Sequence, residues 1–553
     1  MKRSNKARVI LLLMFTFLGG SLFCQEMQFE WNKVLGTSGN NTGKCILRDD
    51  EGSIYVAGEF KEDFSFGDDT ISGYGANNAF ILKMSEFGEL IWAETFGGDG
   101  TVNLRGMSFD REMDLVCTGS FLGVLTVNDT SITSHGGSDI YIFKMSPSGD
   151  WIKILTDGGT GGEFAFSLDF DQNNNLYICG SFLGESAFGN LSLVSSGEWI
   201  WTPWGSEYVY IENAFYARYN PDLNCDLAKQ ICGNESQLYS IVLDSQDNIY
   251  TTGYFSATDE LNDTIAGTTG KFLIFKYNPA GQLIGFIQEG SWNAYIKGNA
   301  MATDSEDNLY VAGYIGCPDC IFGDSLLPDA YNDAFLVKYN ADGAMQWINL
   351  IGQYHGDYDG NENSAKSIFI DEEDRVYLAG YFDGIVWNGI EITSMNDMLD
   401  FMVVKTLPDG LIESIGTYGY PSWDSGEGIT LDSSGHIYLT GYTYLDHFFS
   451  NEPSYIFIGK VDSILSVAIP ELKSADQVSI YPNPSNGLFN LDLPSGFDHD
   501  KTLIISNLEG KYIYEAGISD NHLEIDLSMH KPGLYYLMIK TGERLYCKKL
   551  VKL

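Results

Sequence analysis

The sequence predicts an all-β protein: a seven-bladed β-propeller closed by an N-terminal strand, followed by a small C-terminal β-sandwich. Three observations carry this. A strand-and-turn signature recurs seven times between Asp50 and Thr443. An orphan copy of one of its strands sits near the N-terminus. The period stops at Pro470, where a different set of short strands begins.

The signature is an Asp, a turn, a β-rich strand and a Gly. Its copies run from Asp50 to Phe60, Asp110 to Phe121, Asp171 to Phe182, Asp244 to Phe255, Asp304 to Ile315, Asp371 to Phe382 and Asp432 to Thr443. The shared glycines, Gly58, Gly119, Gly180, Gly253, Gly313, Gly380 and Gly441, are spaced by 61, 61, 73, 60, 67 and 61 residues. A second strand of aromatic and apolar residues ends in a base, as in Ala334-Phe335-Leu336-Val337-Lys338. A third opens with Trp or Leu and runs into Gly, as in Trp92 to Gly97. A fourth, such as Ser240-Ile241-Val242-Leu243, leads into the next Asp turn. Four short strands per unit, with no helical period, describe a blade. A blade cannot cover both faces of its own sheet, so copies must stack on each other. The seventh copy ends near Lys460 without its Trp strand, and Trp31-Asn32-Lys33-Val34-Leu35-Gly36 supplies one. That wraparound predicts a closed ring rather than a solenoid.

Charge narrows the partners. The 553-residue chain carries a formal charge of −43. Between the first 24 residues and Glu471 there are 19 basic and 64 acidic residues. Such a surface repels nucleic acid and anionic lipid and is compatible with cations, neutral glycans or basic partners. At the N-terminus, Lys2, Arg3, Lys6 and Arg8 precede a short apolar run, Val9 to Leu18, and the small residues Gly19, Gly20 and Ser21. This reads as a signal peptide; Cys24 raises a lipoprotein alternative, but the bulky Phe23 before it favours cleavage after Cys24, and no other segment reaches transmembrane length. Eight cysteines follow. Cys117 and Cys179 fall in strand patterns and read as buried small hydrophobes. Cys225 and Cys232 are close enough in sequence to bridge. Cys317-Pro318-Asp319-Cys320 lies in an expected loop and lacks two further zinc ligands nearby, which leaves a local disulfide or two free thiols.

No catalytic motif stands out, and the seven histidines are scattered. The D-x-x-x-N turns, such as Asp244 to Asn248 and Asp304 to Asn308, read as backbone-bonding turns rather than cation loops. In Asp357-Tyr358-Asp359-Gly360-Asn361, oxygen ligands alternate, so Asp357, Asp359 and Asn361 are candidate calcium ligands, although the Gly and Glu of an EF-hand loop are missing. No cofactor is required; calcium is the one considered. The aromatic cluster outside the period is Trp199, Trp201, Trp204 and Tyr208, in an insertion that accounts for much of the 73-residue spacing. Flat rings beside acids suit stacking on sugar faces; the bland alternative is a mini-core pinning a long loop. Trp292 and Trp423, in loops entering the fifth and seventh blades, extend the candidate surface.

The repeats resemble the bacterial β-propeller repeat family, whose pattern Asp304 to Tyr314 and Asp333 to Tyr339 follow almost throughout. Blade two departs most, with Val116-Cys117 where Tyr is usual. The resemblance implies a fold and little about function. After Pro470, Tyr481 to Leu491 (YPNPSNGLFNL), Ile505 to Lys511, Ile525 to Ser528, Pro532 to Ile539 and Lys549 to Leu553 resemble a type A sorting domain of the bacterial type IX secretion system. Its motif falls on Tyr481, Pro482, Asn483, Pro484, Gly487 and Lys549. The resemblance implies Sec export, passage across the outer membrane, and the type IX machinery with its sorting peptidase as partners. The expected organisation is a signal peptide over 1–24, propeller over 25–465, linker over 466–477 and sorting domain over 478–553. The expected function is noncatalytic binding at the cell surface or in the medium, of a glycan or a surface protein. The alternative is a carbohydrate-active enzyme using loop carboxylates.

Overall fold

The computed structural model describes residues 27–552 apart from 203–204, 232–234, 256–271, 292–293, 353–361, 388–389, 395–397, 421, 446–452, 464–478, 484, 494–500, 508–511, 519–521, 532 and 542–543. Among the described residues every regular element is a strand. Seven sheets each contain a run of four antiparallel strands in the order the repeats predict. From the inside outward, the first blade is Thr42–Arg48, Ile54–Phe60, Asn77–Met84 and Leu90–Gly98. The innermost strands of the next six are Thr101–Phe109, Gly162–Phe170, Ser236–Leu243, Tyr295–Thr303, Ser364–Ile370 and Asp424–Leu431. Each lies against the next, and the last packs back on the first. Apolar clusters fill the spaces between neighbouring sheets. The molecule is a β-propeller.

The seventh sheet takes its outer strand from the N-terminus. Gln28–Leu35 pairs antiparallel with Tyr455–Ser463, with Trp31 opposite Lys460 and Leu35 opposite Ile456. The ladder shifts register between Phe29 and Trp31. An irregularity there breaks the alternation that would otherwise send both rings to one face. Phe29 accordingly meets Tyr418 of the sixth blade edge-on at 4.8 Å, while Trp31 Nε1 donates to Glu86 O of the first blade at 3.0 Å.

The repeated Asp locks its turn. In all seven blades its carboxylate accepts the backbone N–H four residues on, at 2.7–3.0 Å. In most blades it also accepts a tyrosine hydroxyl six residues on, as at Tyr310 (3.1 Å), and the base ending the third strand reaches it, as Lys338 does at 3.2 Å. Burial pushes the Asp304 carboxyl up, but the bonds from Asn308 and Glu306 and the charge of Lys338 overcome it and hold it below its ordinary value. In the first blade the locking residue is Asp49, not Asp50: Asp49 is buried, bonds Ser53 N and accepts from Tyr55. Blade two has Val116 in the tyrosine position, and there Lys144 sits between Asp110 (2.7 Å) and Asp114 (3.0 Å).

The same turns clip blade to blade. Asn174, Asp247, Asp307 and Asp374 adopt positive φ of 56–62°. Each accepts the backbone N–H of the preceding blade's turn, from Arg111, Gln172, Ser245 and Ser305. Asn and Asp tolerate this conformation best among non-glycines.

Cys317 and Cys320 form a disulfide. They lie in a strand rather than the expected loop, because Leu309–Phe322 and Ser325–Tyr339 continue past the sheet as a long hairpin. Cys117 and Cys179 are buried thiols, and Cys225 is a half-buried one; Cys232 lies outside the described residues.

The C-terminal strands form two sheets. Ser479–Tyr481, Leu488–Asp492 and His522–Asp526 make one. Tyr512–Ile518, Lys501–Asn507, Gly533–Thr541 and Arg544–Lys552 make the other, with Phe489, Leu503, Ile525 and Leu537 among the buried residues between them.

Candidate functional site

Each innermost strand carries one residue out of register with its neighbour, at the same place in all seven blades. The irregularities fall at Lys44, Arg105, Phe166, Tyr239, Asn299, Lys366 and Glu427. A bulge re-aims a side chain that strict alternation would bury. All seven line the axial channel, and the two cavities along it, about 540 and 480 Å3, both include them. On one side of the ring the wall is largely small, with Gly106, Ser167, Ser240, Ala300, Ser367 and Gly428. The ring itself and the mouth beyond it are mostly charged and aromatic. Each ring residue stands five positions before its locking Asp. The signal lay in that fixed offset, at a position where the copies share no chemistry.

The mouth has a defined electrostatic structure. Lys44 Nζ lies 3.3 Å from Glu427 Oε2, joining first and seventh blades. Burial pushes the Glu427 carboxyl up, but Lys44 and Lys366 overcome it and keep it below its ordinary value. Burial pushes the Lys366 ammonium down; Glu427 opposes this, and Lys44 and Lys297 add to it. Lys366 lies 5.3 Å from the Tyr381 ring centroid, and Lys297 lies 4.9 Å from that of Tyr295. Asn299 Nδ2 donates to Ala365 O at 2.8 Å, tying fifth to sixth blade.

The blade-three insertion is a two-stranded ribbon, Gly197–Thr202 paired with Gly205–Tyr210, with Trp199 opposite Tyr208. Its described rings are not a buried mini-core. Trp199 is 68% exposed and Trp201 88% exposed, and the Trp199 ring meets Tyr208 edge-on at 5.4 Å. The ribbon leaves the end of Leu176–Leu183 that pairs with Gly162 and Glu163, where the inner strand begins. Glu362 and Tyr295, at the corresponding end of their own blades, line the mouth. Ribbon and mouth therefore share one face. Trp423 is half-exposed, its Nε1 3.0 Å from Met398 Sδ. Trp204, Trp292 and the calcium candidates Asp357, Asp359 and Asn361 lie outside the described residues. A different acidic group, Asp110, Glu112 and Asp114, brings three carboxylates within 4.8 Å of one another, a spacing compatible with calcium, and Lys144 already stands among them.

In the C-terminal unit, Tyr481, Pro482 and Asn483 are exposed, and Tyr481 donates to Asp492 at 2.7 Å. Gly487 has φ +120°, and a Cβ there would stand 2.7 Å from Ser528 Cα, so the motif glycine is a packing requirement. Lys549 pairs through its backbone with Tyr536; Pro484 lies outside the described residues.

Residues 479–553 match the family model described as the secretion system C-terminal sorting domain. The chain is thus exported through the type IX secretion system to the cell surface or the medium. Among the described residues no helix is long and apolar enough to cross a membrane. Over 390 residues the chain is 24% identical to an uncharacterized WD repeat-containing protein of Acanthamoeba polyphaga mimivirus; the match covers 64% of this chain and only 25% of that relative. Similar solved structures include PorZ, described as an essential surface component of the type IX secretion system of Porphyromonas gingivalis, at 10% identity, 94% coverage of this chain, 100% of that one and a TM-score of 0.25. A gluconolactonase from Xanthomonas campestris is 11% identical, with 64% and 91% coverage and a TM-score of 0.28. The propeller assignment stands on the sheets described above.

Proposed function

We propose that this is a noncatalytic recognition protein, acting at the cell surface or in the medium, with the ribbon-bearing face of the propeller as its binding surface. The observation that carries the reading is the exposure of Trp199 and Trp201 on a ribbon that its blade does not need for packing. Exposed indoles on a rigid scaffold suit stacking on a sugar face or insertion into a partner pocket. Trp204, Tyr208, Trp292 and Trp423 belong to the same proposed surface.

The enzyme alternative needs a carboxyl that holds its proton within reach of substrate. Of the carboxyls that burial raises, Glu163 (to about 7) and Asp424 (to about 8) are sealed within blades, while Asp169, raised to about 6, lines the channel but has both oxygens taken by the backbone N–H groups of Phe170 and Leu243. Glu427, which does face the cavity, is held ionised. Both points favour binding. Calcium at Asp357, Asp359 and Asn361 remains a subsidiary proposal, checked by whether chelation lowers the melting temperature and Asp359→Ala removes that shift.

The test is a glycan-array and surface-pull-down comparison of the full chain with Trp199→Ala/Trp201→Ala. The double variant should lose binding while its stability changes by less than about 0.5 kcal/mol, as for exposed positions. Undiminished binding would remove the ribbon from the function.

A further inference from the structure

The channel mouth gathers positive charge in a chain that is otherwise strongly acidic. The bases that end third strands are committed to carboxylates, as at Lys144, Lys338 and Lys460. Four others, Lys44, Arg105, Lys297 and Lys366, meet in one cavity of about 540 Å3. Of these, only Lys44 forms an ion pair among the described residues. Glu362 and Glu427 line the same cavity and act on Lys366 at longer range, but among the described residues Arg105, Lys297 and Lys366 form no ion pair, so four cations face two carboxylates. Cations drawn together in excess of their counterions repel one another and lose hydration, a cost that a bound anion offsets. The lowered ammonium of Lys366 agrees with that reading.

The remaining lining is not that of a site for a bare ion. Tyr295 and Tyr314 meet edge-to-face at 5.8 Å, and Tyr381 lies beneath Lys366. The Gln237 amide, which donates one N–H to Glu212 and accepts from Tyr239, keeps a second N–H. Aromatic faces and amides around fixed cations match a hydroxyl-rich ring that carries an acid group. The volume falls within the roughly 300–1,000 Å3 of small-ligand sites and is too small for a folded partner.

We propose that the channel mouth binds an acidic saccharide, its carboxylate held by Arg105, Lys297 and Lys366 and its ring against the tyrosines. The proposal rests on the reading of this face as a recognition surface, but it assigns a second site that does not depend on the ribbon.

The experiment is isothermal titration of the full chain with tri-galacturonate and sialyllactose. Methyl-esterified tri-galacturonate, which keeps the rings and loses the charge, and citrate, which has charge without a ring, serve as the other two arms. At least one acidic saccharide should bind, and the neutral ester and citrate should each bind at least tenfold more weakly than it or its charged parent. Arg105→Gln/Lys297→Gln should weaken binding at least tenfold, and Trp199→Ala/Trp201→Ala should leave it unchanged. Should the Gln variant melt early, Arg105→Lys/Lys297→Arg, which preserves charge, must retain binding. Affinity should also fall as pH rises, since the anion favours protonated Lys366. The proposal is overturned if neither acidic saccharide binds, if the ester binds as well as its parent, if citrate binds as well as the saccharide, or if the Gln variant binds as the parent does. Loss of saccharide binding only in the Trp variant would move the site to the ribbon; loss of ribbon-dependent capture alone would leave the channel site standing.

Discussion

The N-terminal strand is the point at which the ring is most open to test. Met27 N donates to Thr417 O in the sixth blade at 2.8 Å, Gln28–Leu35 pairs within the seventh, and Trp31 bonds to the first. One strand thus touches three blades. Phe29→Ala removes a half-buried ring that meets Tyr418 at 4.8 Å and Phe457 at 5.4 Å, both edge-on. Full burial of such a ring is worth about 3–5 kcal/mol, so half burial with two aromatic pairs gives about 2–3 kcal/mol. Trp31→Ala loses a half-buried indole over Gly88 and its bond to Glu86 O, about 2 kcal/mol. The two rings face different blades, so the effects should add to about 4–5 kcal/mol. Equilibrium urea unfolding of the full chain, followed by circular dichroism, reads this directly. Ile91→Ala, at a half-exposed position of the first blade's outer strand, is the control and should cost less than about 0.5 kcal/mol. A double variant no less stable than that control would show that the strand does not hold the ring.

Asp304→Ala should cost about 3 kcal/mol in the same assay, since it strips acceptors from Asn308 N, Glu306 N and Tyr310 and leaves Lys338 buried without its partner; a loss under 1 kcal/mol would refute the lock. Burial, helped by nearby Asp400, raises Asp424 to about 8, and burial raises Glu163 to about 7. A carboxyl raised on folding contributes stability that is fully present below its unfolded value of about 4 and lost as pH rises through the folded value. The urea midpoint should therefore fall between pH 5.5 and 8.5, and Asp424→Asn should flatten the decline; an equally steep decline in that variant would contradict the assignment. Removing residues 479–553 should leave the propeller folded and retained in the periplasm, and cell fractionation showing normal surface delivery would contradict this.

What could be read from the sequence was what repeated. Seven copies of Asp and Gly, six of them with a Tyr in register, point to one turn, because each copy solves the same packing problem. At the first turn Asp49 and Asp50 are adjacent and both fit the pattern, and only burial separates them. The channel ring was missed for the opposite reason. A bulge interrupts period-two alternation, and Lys44, Arg105, Phe166, Tyr239, Asn299, Lys366 and Glu427 have nothing chemical in common. Spacing alone admits the disulfide, but its position within a strand depends on a hairpin that outgrows its sheet, which no local pattern announces. The Trp cluster was legible as an anomaly of composition, whereas its exposure is a property of the ribbon.

The ring of bulges separates two demands that usually compete. Residues in the ladders and between blades are fixed by neighbours on every side, so altering one disturbs the next. A bulged side chain stands outside the ladders, and although Lys44, Glu427 and Asn299 also bridge neighbouring blades, each of the seven reaches the same small volume. Such a scaffold works as a fixed frame with seven interchangeable inserts. New specificity needs no new loop and no change to the core: a different choice of residue at a few inserts recasts the charge and shape of the whole mouth.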